Sequence, residues 1–172
     1  FLNAEIGSLS FDEHIAAAYL NDTITFGNFS VTPGLRFDHV DVKDTSLKTD
    51  FVSPSLGVTY RLADNTILRG VVARGVNIPG IFSLTFDSEF FVPNPDLKLE
   101  EVWSYQAGIE TTALKYLWLK AGVFRHDIED AITYEDVSVD AGTWTYVNKS
   151  KARRQGYEVE ARTLPFYNIT LT

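Results

Sequence analysis

Histidines and acidic residues are the side chains of this sequence that could bind a metal or transfer protons. The three histidines are far apart, and no two have the spacing of metal ligands: His14, His39 and His126. Aspartates recur at every third residue in Asp38, Asp41 and Asp44, but without the glycine-centred loop of a calcium-binding EF-hand. We therefore predict no metal site, and interpret the aspartates as a solvated acidic turn.

The usual arrangements for enzymatic catalysis are also missing from the sequence. Glu100 and Glu101 could suggest a glycosidase acid and base, but adjacent residues of a strand point to opposite faces. There is no cysteine, so a cysteine nucleophile and thiolate zinc sites are excluded. No Gly-rich phosphate loop and no Ser/His/Asp arrangement is present. We predict that the chain is not an enzyme and carries no cofactor.

The long connection from Gly75 to Leu99 is the best candidate for a ligand contact, because long connections without clear structure are usually functional. It combines aromatic and acidic side chains, and the candidates in it are Phe82, Phe86, Asp87, Phe90 and Phe91. Two interpretations remain open. The aromatics bind a small molecule or glycan, or the loop folds around its own phenylalanines as a small core.

Basic residues cluster once, at Lys149, Lys151, Arg153 and Arg154, within a chain of net charge −8. This balance argues against a nucleic-acid partner, because the phosphate backbone attracts strongly basic surfaces. The cluster is better suited to isolated anionic groups at a surface.

The elements that position these residues are strands, because polar and apolar residues alternate along most of the chain. The clearest segments are Phe29–Asp38, Phe51–Leu62, Val102–Thr112 and Tyr157–Arg162. Weaker ones are His14–Leu20, Thr66–Arg74, Tyr116–His126 and a last one that starts near Asn168. We predict an all-β, antiparallel up-and-down meander of about eight strands.

The connections alternate between short and long. Short ones span residues 62–66, 112–116 and 164–168, with 21–28 slightly longer, and long ones span 43–50, 75–99 and roughly 127–145. One plain end and one elaborate end are typical of an outer-membrane β-barrel, with short periplasmic turns and longer outer loops. No run approaches the roughly 18 apolar residues of a membrane-spanning helix.

The alternation predicts two faces. The side chains expected toward lipid are Val31, Leu35, Phe37, Leu56, Val58, Trp103 and Ile109. Those expected toward the lumen are Arg36, Arg61, Arg69, Gln106, Glu110, Glu158 and Glu160, together with Asp38 and Arg162. An aromatic belt is expected beside the short turns at Tyr19, Phe26, Phe29, Tyr60, Tyr116, Trp118, Phe166 and Tyr167. Pro33 and Pro54 interrupt two strand patterns and suggest strand beginnings or a bulge.

Several motifs, in this order, resemble the C-terminal half of the barrel of TonB-dependent outer-membrane receptors. They are Arg74–Pro79, Asn94–Glu100, Trp103–Glu110, Val123–Ile132, Tyr146–Asn148 and Lys151–Glu160. The resemblance implies that residues 1–172 are part of a 22-stranded transmembrane barrel, without the plug domain, in the bacterial outer membrane. It implies import of a scarce solute such as an iron-siderophore or cobalamin, with the TonB system and plug as partners only through the complete protein. Lipopolysaccharide phosphates are then candidate partners of the basic cluster.

Two other readings remain open at this point. A soluble β-sandwich that binds a glycan or protein would show the same alternation, with its polar rows facing solvent. A self-contained eight-stranded outer-membrane barrel, acting as an adhesin or anchor, is disfavoured by the incomplete eighth strand, since closure requires a full-length partner for the first strand.

Overall fold

The computed structural model describes residues 12–114, 116–138 and 142–163. In chain order its elements are β1 (Glu13–Asn21), β2 (Ile24–Phe26), β3 (Phe29–Val42), β4 (Lys48–Ala63), β5 (Thr66–Asn77), α1 (Ile81–Thr85), β6 (Glu100–Thr111), β7 (Leu117–Ser138) and β8 (Thr143–Thr163). All strand pairs are antiparallel, in the order β1-β3-β4-β5-β6-β7-β8, with β2 beside β1 on β3. The described part is one open sheet, which confirms the predicted all-β meander.

The predicted strands are present, but the last hairpin differs from the expectation. The segment 127–145 was expected to be a long loop, yet β7 and β8 extend through most of it and stay paired up to Ser138 and Thr143. The link predicted at 43–50 is also shorter, because β4 begins at Lys48. The strand expected near Asn168 lies outside the described residues.

The two prolines lie within strands rather than at strand beginnings or in a bulge. The Pro33 carbonyl accepts a hydrogen bond from Asp22, so this residue directs its backbone groups toward the break between β1 and β2. By the same alternation, the backbone groups of Pro54 are directed toward β5. The β4–β5 pairing ends at the neighbouring Ser55, so Pro54 has no partner strand on that side among the described residues. Both prolines therefore stand where no ladder donor is needed, which satisfies the usual restriction on proline in sheets.

The buried core of the described residues lies at one end of the sheet rather than along it. Its members come from the ends of β3 and β4, from the turn between them and from the long β5–β6 connection: Val40, Val42, Leu47, Phe51, Leu84, Leu97 and Leu99. No second sheet covers either face within the described part of the chain. A β-sandwich, which buries the inner faces of two stacked sheets, does not have this arrangement.

Candidate functional site on the polar face and the long loop

One face of the sheet, here called the apolar face, carries the side chains that the sequence assigned to lipid. Cross-strand pairing places directly opposed residues on the same face. Pairing brings Val31 opposite Val58, and Leu56 opposite Val72, and continues to Tyr105. All seven predicted residues share this face, and large ones are exposed, such as Leu35 at 54% and Phe37 at 44%. The predicted grouping of these seven side chains is confirmed.

The apolar side chains form a band of limited height. On β3 the band extends from Phe29 to Phe37, and His39 and Asp41 follow on the same face. The eight steps from Phe29 to Phe37, at about 3.4 Å each, span about 27 Å along the strand. With the tilt of about 40° that barrel strands adopt, this is about 21 Å, near the height of the apolar band of outer-membrane barrels.

The limit of the apolar band on the side of the long loop, here called its upper limit, shifts from strand to strand. On β4 the last apolar residue is Val52, whereas on β7 it is Val123, which Arg125 follows. Cross-strand partners connect Val123 through β6 and β5 to Val58, six residues below Val52 along β4. This stagger is the one expected for strands tilted relative to a common axis.

Only some of the aromatic residues predicted to form a belt lie on the apolar face. Phe26, Phe29 and Tyr60 lie side by side at the short-turn end of the apolar face. Tyr19 and Trp118 lie on the opposite face, because they pair with Arg36 and Arg162. Their strands have weak alternation, which concealed the side on which each ring stands. Phe166 and Tyr167 lie outside the described residues.

The opposite, polar face carries all seven side chains predicted to face the lumen. Ion pairs connect several of them: Arg36 with Asp38 at 2.7 Å, and Arg69 with Glu110 at 3.0 Å. Arg162 pairs with Glu160 at 2.5 Å. Arg61 makes no ion pair among the described residues. The polar row is thus largely neutralised within the sheet itself.

A shallow groove of about 430 Å³ lies on the polar face between β5 and β8. The charged residues among its lining are Arg69, Glu110, Lys120, Arg154 and Glu158, with His126 nearby. The floor is open because Gly108 and Gly122 face each other across β6 and β7. A Cβ on Gly108 would come within 2.9 Å of the Ala121 carbonyl oxygen, so a side chain does not fit there.

The sequence did not single out two aromatic contacts of this groove. Trp118 donates a hydrogen bond from Nε1 to Glu110 at 3.1 Å, and the Arg162 guanidinium lies 5.0 Å from the Trp118 ring centre. Arg154 similarly lies 5.8 Å from the ring of Phe124. The Glu158 carboxylate has no hydrogen-bond or ion-pair partner among the described residues, which leaves it available in the groove.

The long loop, residues 78–99, folds over the polar face at the end of the sheet opposite the short turns. Leu84 and Leu97 are each 1% exposed and pack with Val40 and Val42, which continue the row of Arg36 and Asp38. Full burial of a leucine contributes roughly 1.5–3 kcal/mol, so these two residues hold the loop firmly against the sheet. The loop core is therefore made of leucines and strand residues, rather than of the loop phenylalanines alone.

The predicted ligand-contact residues of the long loop occupy different environments. Phe91 is buried, Phe86 is half-buried and Asp87 is exposed. Phe82 and Phe90 are 50% and 59% exposed. The Phe82 ring stacks on Phe86 at 4.3 Å and on Phe91 at 5.3 Å between ring centres. The loop thus presents a stacked aromatic surface to solvent while one ring anchors it.

Two further aromatics complete this cluster and were not identified from the sequence. Trp144 and Tyr146 contact Phe91, with ring centres 4.8 and 5.8 Å away. Trp144 lies in the segment 127–145 that the sequence indicated as a loop, and Tyr146 follows that segment directly. Their alternation with Thr143 and Thr145 is nevertheless a strand signal. Their recruitment depends on the register of β7 and β8.

The long loop is tied to strands on both of its sides. The Ser46 backbone N–H donates to the Pro95 carbonyl at 3.0 Å, and the Ser46 hydroxyl contacts the Asp96 carboxylate. On the other side, Trp144 exchanges backbone hydrogen bonds with Phe90 and Val92 at 3.1 and 3.0 Å. The loop therefore spans from the β3–β4 turn to the β7–β8 hairpin.

An asparagine completes the attachment. The Asn148 side chain accepts a hydrogen bond from the Lys98 backbone N–H at 2.9 Å and donates to the carbonyl oxygens of Lys98 and Asp130. Asp130 has φ of 52°, a left-handed backbone conformation that is uncommon for residues other than glycine. Asn148 thus joins the end of the loop to an irregular point of β7.

At the loop end of the apolar face, above the band, charged pairs replace apolar ones. The hydrogen bond from Lys48 lowers the pKa of Asp41 below its ordinary value, and Asp41 in turn raises the pKa of Lys48. Lys48 is exposed and Asp41 is partly exposed, so solvent screens the pair and it contributes little to stability.

Among the described residues, no group of three or more His, Asp or Glu side chains is placed to hold a metal ion. Within the same part of the chain, no helix is long and apolar enough to cross a membrane.

Comparisons with known proteins agree with this geometry. The family model described as TonB dependent receptor-like, beta-barrel, matches residues 6–172. The solved siderophore receptor PirA from Acinetobacter baumannii is 25% identical, with a TM-score of 0.69, over 88% of this chain and 26% of that one. A mutant of the ferric enterobactin receptor PfeA from Pseudomonas aeruginosa is 25% identical, with a TM-score of 0.69, over 89% and 24%.

A haem-related receptor shares the fold. The hemophore receptor HasR of Serratia marcescens, solved with its hemophore and haem, has a TM-score of 0.75 at 18% identity, over 88% of this chain and 32% of that one. The chain thus spans about a quarter to a third of the solved receptor chains it matches.

Proposed function

Because this chain belongs to the TonB-dependent receptor β-barrel family, we propose that it forms part of the barrel wall and outer loops of a bacterial outer-membrane receptor. The complete receptor imports a scarce solute such as an iron-siderophore or cobalamin. Siderophore and haem receptors among the structural neighbours favour a metal chelate as the solute. The chain has no catalytic role in this proposal, and family members are receptors and transporters rather than enzymes.

The observation that carries the proposal is the two-faced wall. A strand in hydrocarbon must bond every backbone group to its neighbours and present apolar side chains to lipid. The apolar face meets the second requirement over a band of about 21 Å, near the roughly 25 Å of the apolar band of outer-membrane barrels. Its partner is the bilayer, with lipopolysaccharide on the side of the long loop.

The polar face lines the lumen in this proposal and contacts the plug domain of the complete receptor. Three ion pairs already connect charges of this face, but Arg61, Lys120, Arg154 and Glu158 form no ion pair among the described residues. Uncompensated charges next to glycine backbone suit a polar protein segment that packs closely and pairs with them. The TonB system acts only through that complete protein.

The long loop supplies ligand contacts in this proposal. The exposed rings of Phe82 and Phe90 offer flat apolar area, and Asp87 adds a charged group beside them. The fold of the loop over the polar face supports a position of this surface at the mouth of the barrel. Phe86 and Phe91 support the exposed rings by stacking.

The face assignment is tested in the complete receptor reconstituted in vesicles of brominated phosphatidylcholine. Cysteines replace Leu56 and Ser55 separately, and each is labelled with an environment-sensitive fluorophore. We expect strong bromine quenching and a blue-shifted emission at position 56, and neither at position 55. Equal quenching at both positions would overturn the proposed orientation of the wall.

The loop assignment is tested by fixing the loop to the sheet. The chain has no cysteine, so the double variant Ser46→Cys/Asp96→Cys introduces one possible disulfide within it. Iron-limited cells that rely on this receptor should take up radiolabelled iron only after a reductant opens the bridge, if uptake requires loop movement. Each single cysteine variant is the control. Unchanged uptake with a formed disulfide contradicts a role for loop movement, and unchanged uptake after deletion of the receptor gene contradicts iron import.

A further inference from the structure

The apolar face carries an open groove of about 880 Å³. The groove crosses this face from β4 to β8, with Leu56, Val58 and Val72 at one end and Val123 and Tyr157 at the other. Gly70 and Ala107 form its floor, since these small residues occupy the positions between larger side chains. Tyr105 borders it on the loop side, where Trp103 stacks on Tyr105.

At its β7 end, on the side of the long loop, the groove lies next to a cationic site. Arg125 lines it at the point where the apolar band ends on β7. Because strands lie about 4.8 Å apart, the groove extends about 14 Å from Arg125 back to Leu56 on β4. The stagger of the band places Leu56 at mid-height and Arg125 at the upper limit.

Two arginines share one carboxylate at this upper end. Asp127 accepts hydrogen bonds from Nε of Arg125 at 2.9 Å and from Nε of Arg153 at 2.6 Å. The three groups carry an excess of one positive charge. The side chains of Arg125 and Arg153 remain 46% and 56% exposed, so their other N–H groups can bind a further anion. Gln155, opposite Arg125, adds an amide to the same site.

We propose that this groove binds one lipopolysaccharide molecule, with a lipid A acyl chain along Gly70 and Ala107 and a lipid A phosphate on Arg153 and Arg125. An apolar channel that ends at excess positive charge is complementary to an acyl chain joined to a phosphate. The long-loop side of such barrels faces outward, where the leaflet is made of lipopolysaccharide. The inference rests on the proposed function, because it places the apolar face in the outer membrane.

The experiment uses the purified complete receptor in nanodiscs and measures its affinity for lipid A. Arg153→Gln removes the excess charge while Asp127 keeps Arg125 as its partner, and we expect about tenfold weaker binding. Ala107→Phe fills the groove without adding polarity, and should weaken binding to a similar extent. The matched control is Lys151→Gln, which removes the same charge two residues along β8 from a lysine paired with Glu129 at 3.2 Å; it should change affinity less than twofold.

Three outcomes separate the possibilities. Unchanged affinity in both Arg153→Gln and Ala107→Phe overturns the lipid site, as does an equal loss in Lys151→Gln. Binding of phosphatidylglycerol as tight as that of lipid A, and equally sensitive to the variants, also overturns it. Quenching of Trp103 fluorescence by brominated lipids checks membrane insertion separately. Absence of quenching contradicts the proposed function. Quenching together with any of the outcomes above contradicts the lipid site alone.

Discussion

Replacement of Leu56 by arginine tests the membrane-facing wall most directly. Leu56 lies within the apolar band on β4, four residues from Tyr60 on one side and four residues from Val52 on the other. Its cross-strand partners are Pro33 and Val72, so no acidic neighbour on this face can pair with the new charge. An arginine at the midplane on the lipid side of a barrel costs about 2–4 kcal/mol.

Two control substitutions make this magnitude specific to depth and face. Val52→Arg lies four residues along the same strand and face, which is about 14 Å along the strand and about 10 Å in height at the usual tilt. There the expected cost falls to about 0–1 kcal/mol, because the guanidinium reaches headgroups. Ser55→Arg introduces the same charge next to Leu56 but on the polar face, where about 0.5 kcal/mol or less is expected.

The assay is guanidinium unfolding of the complete receptor in phosphatidylcholine vesicles, followed by tryptophan fluorescence. A lower midpoint at unchanged slope reports a loss of stability rather than a change in the unfolded ensemble. Leu56→Arg should shift the midpoint most, and Ser55→Arg least. Equal shifts for Leu56→Arg and Val52→Arg would refute the depth assignment, and a larger shift for Ser55→Arg would reverse the two faces.

Gly156→Ala should destabilise the complete receptor by about 1–3 kcal/mol, because a Cβ would lie 2.9 Å from a ring atom of Phe124. In the control Gly75→Ala the added Cβ meets open space, so this substitution should be tolerated. Equal unfolding midpoints of the two variants would contradict this interpretation of the packing. Because Lys48 lowers the pKa of Asp41, that carboxylate stabilises the folded state above its ordinary pKa of 3.8 and loses this contribution as pH falls through the lower folded value. Lys48→Met should therefore flatten the loss of stability measured by unfolding between about pH 5 and pH 2, and an identical slope would exclude the contribution of this pair.

Residues with regular alternation could be assigned to a face from the sequence alone. Side chains of successive strand residues point to opposite sides whatever the strand pairs with, so the pattern around Leu35 and Leu56 is already a local property. Where alternation is weak, that reasoning fails: Tyr19 and Trp118 were expected in a belt and lie on the polar face. The exception was Arg69, whose strand is rich in small and aliphatic residues but whose side was predicted correctly.

The sequence by itself determined the strand content and the two chemically different faces, because these depend on the side-chain direction of residues close in the chain. It did not determine the lengths of the connections, since β7 and β8 pair through most of 127–145 and β4 already begins at Lys48. Only the tertiary structure decided how the long loop lies. Its leucines find partners in Val40 and Val42, more than 40 residues earlier, and Phe91 finds Trp144 more than 50 residues later. Such contacts require the register of several strands at once, and no local pattern encodes that register.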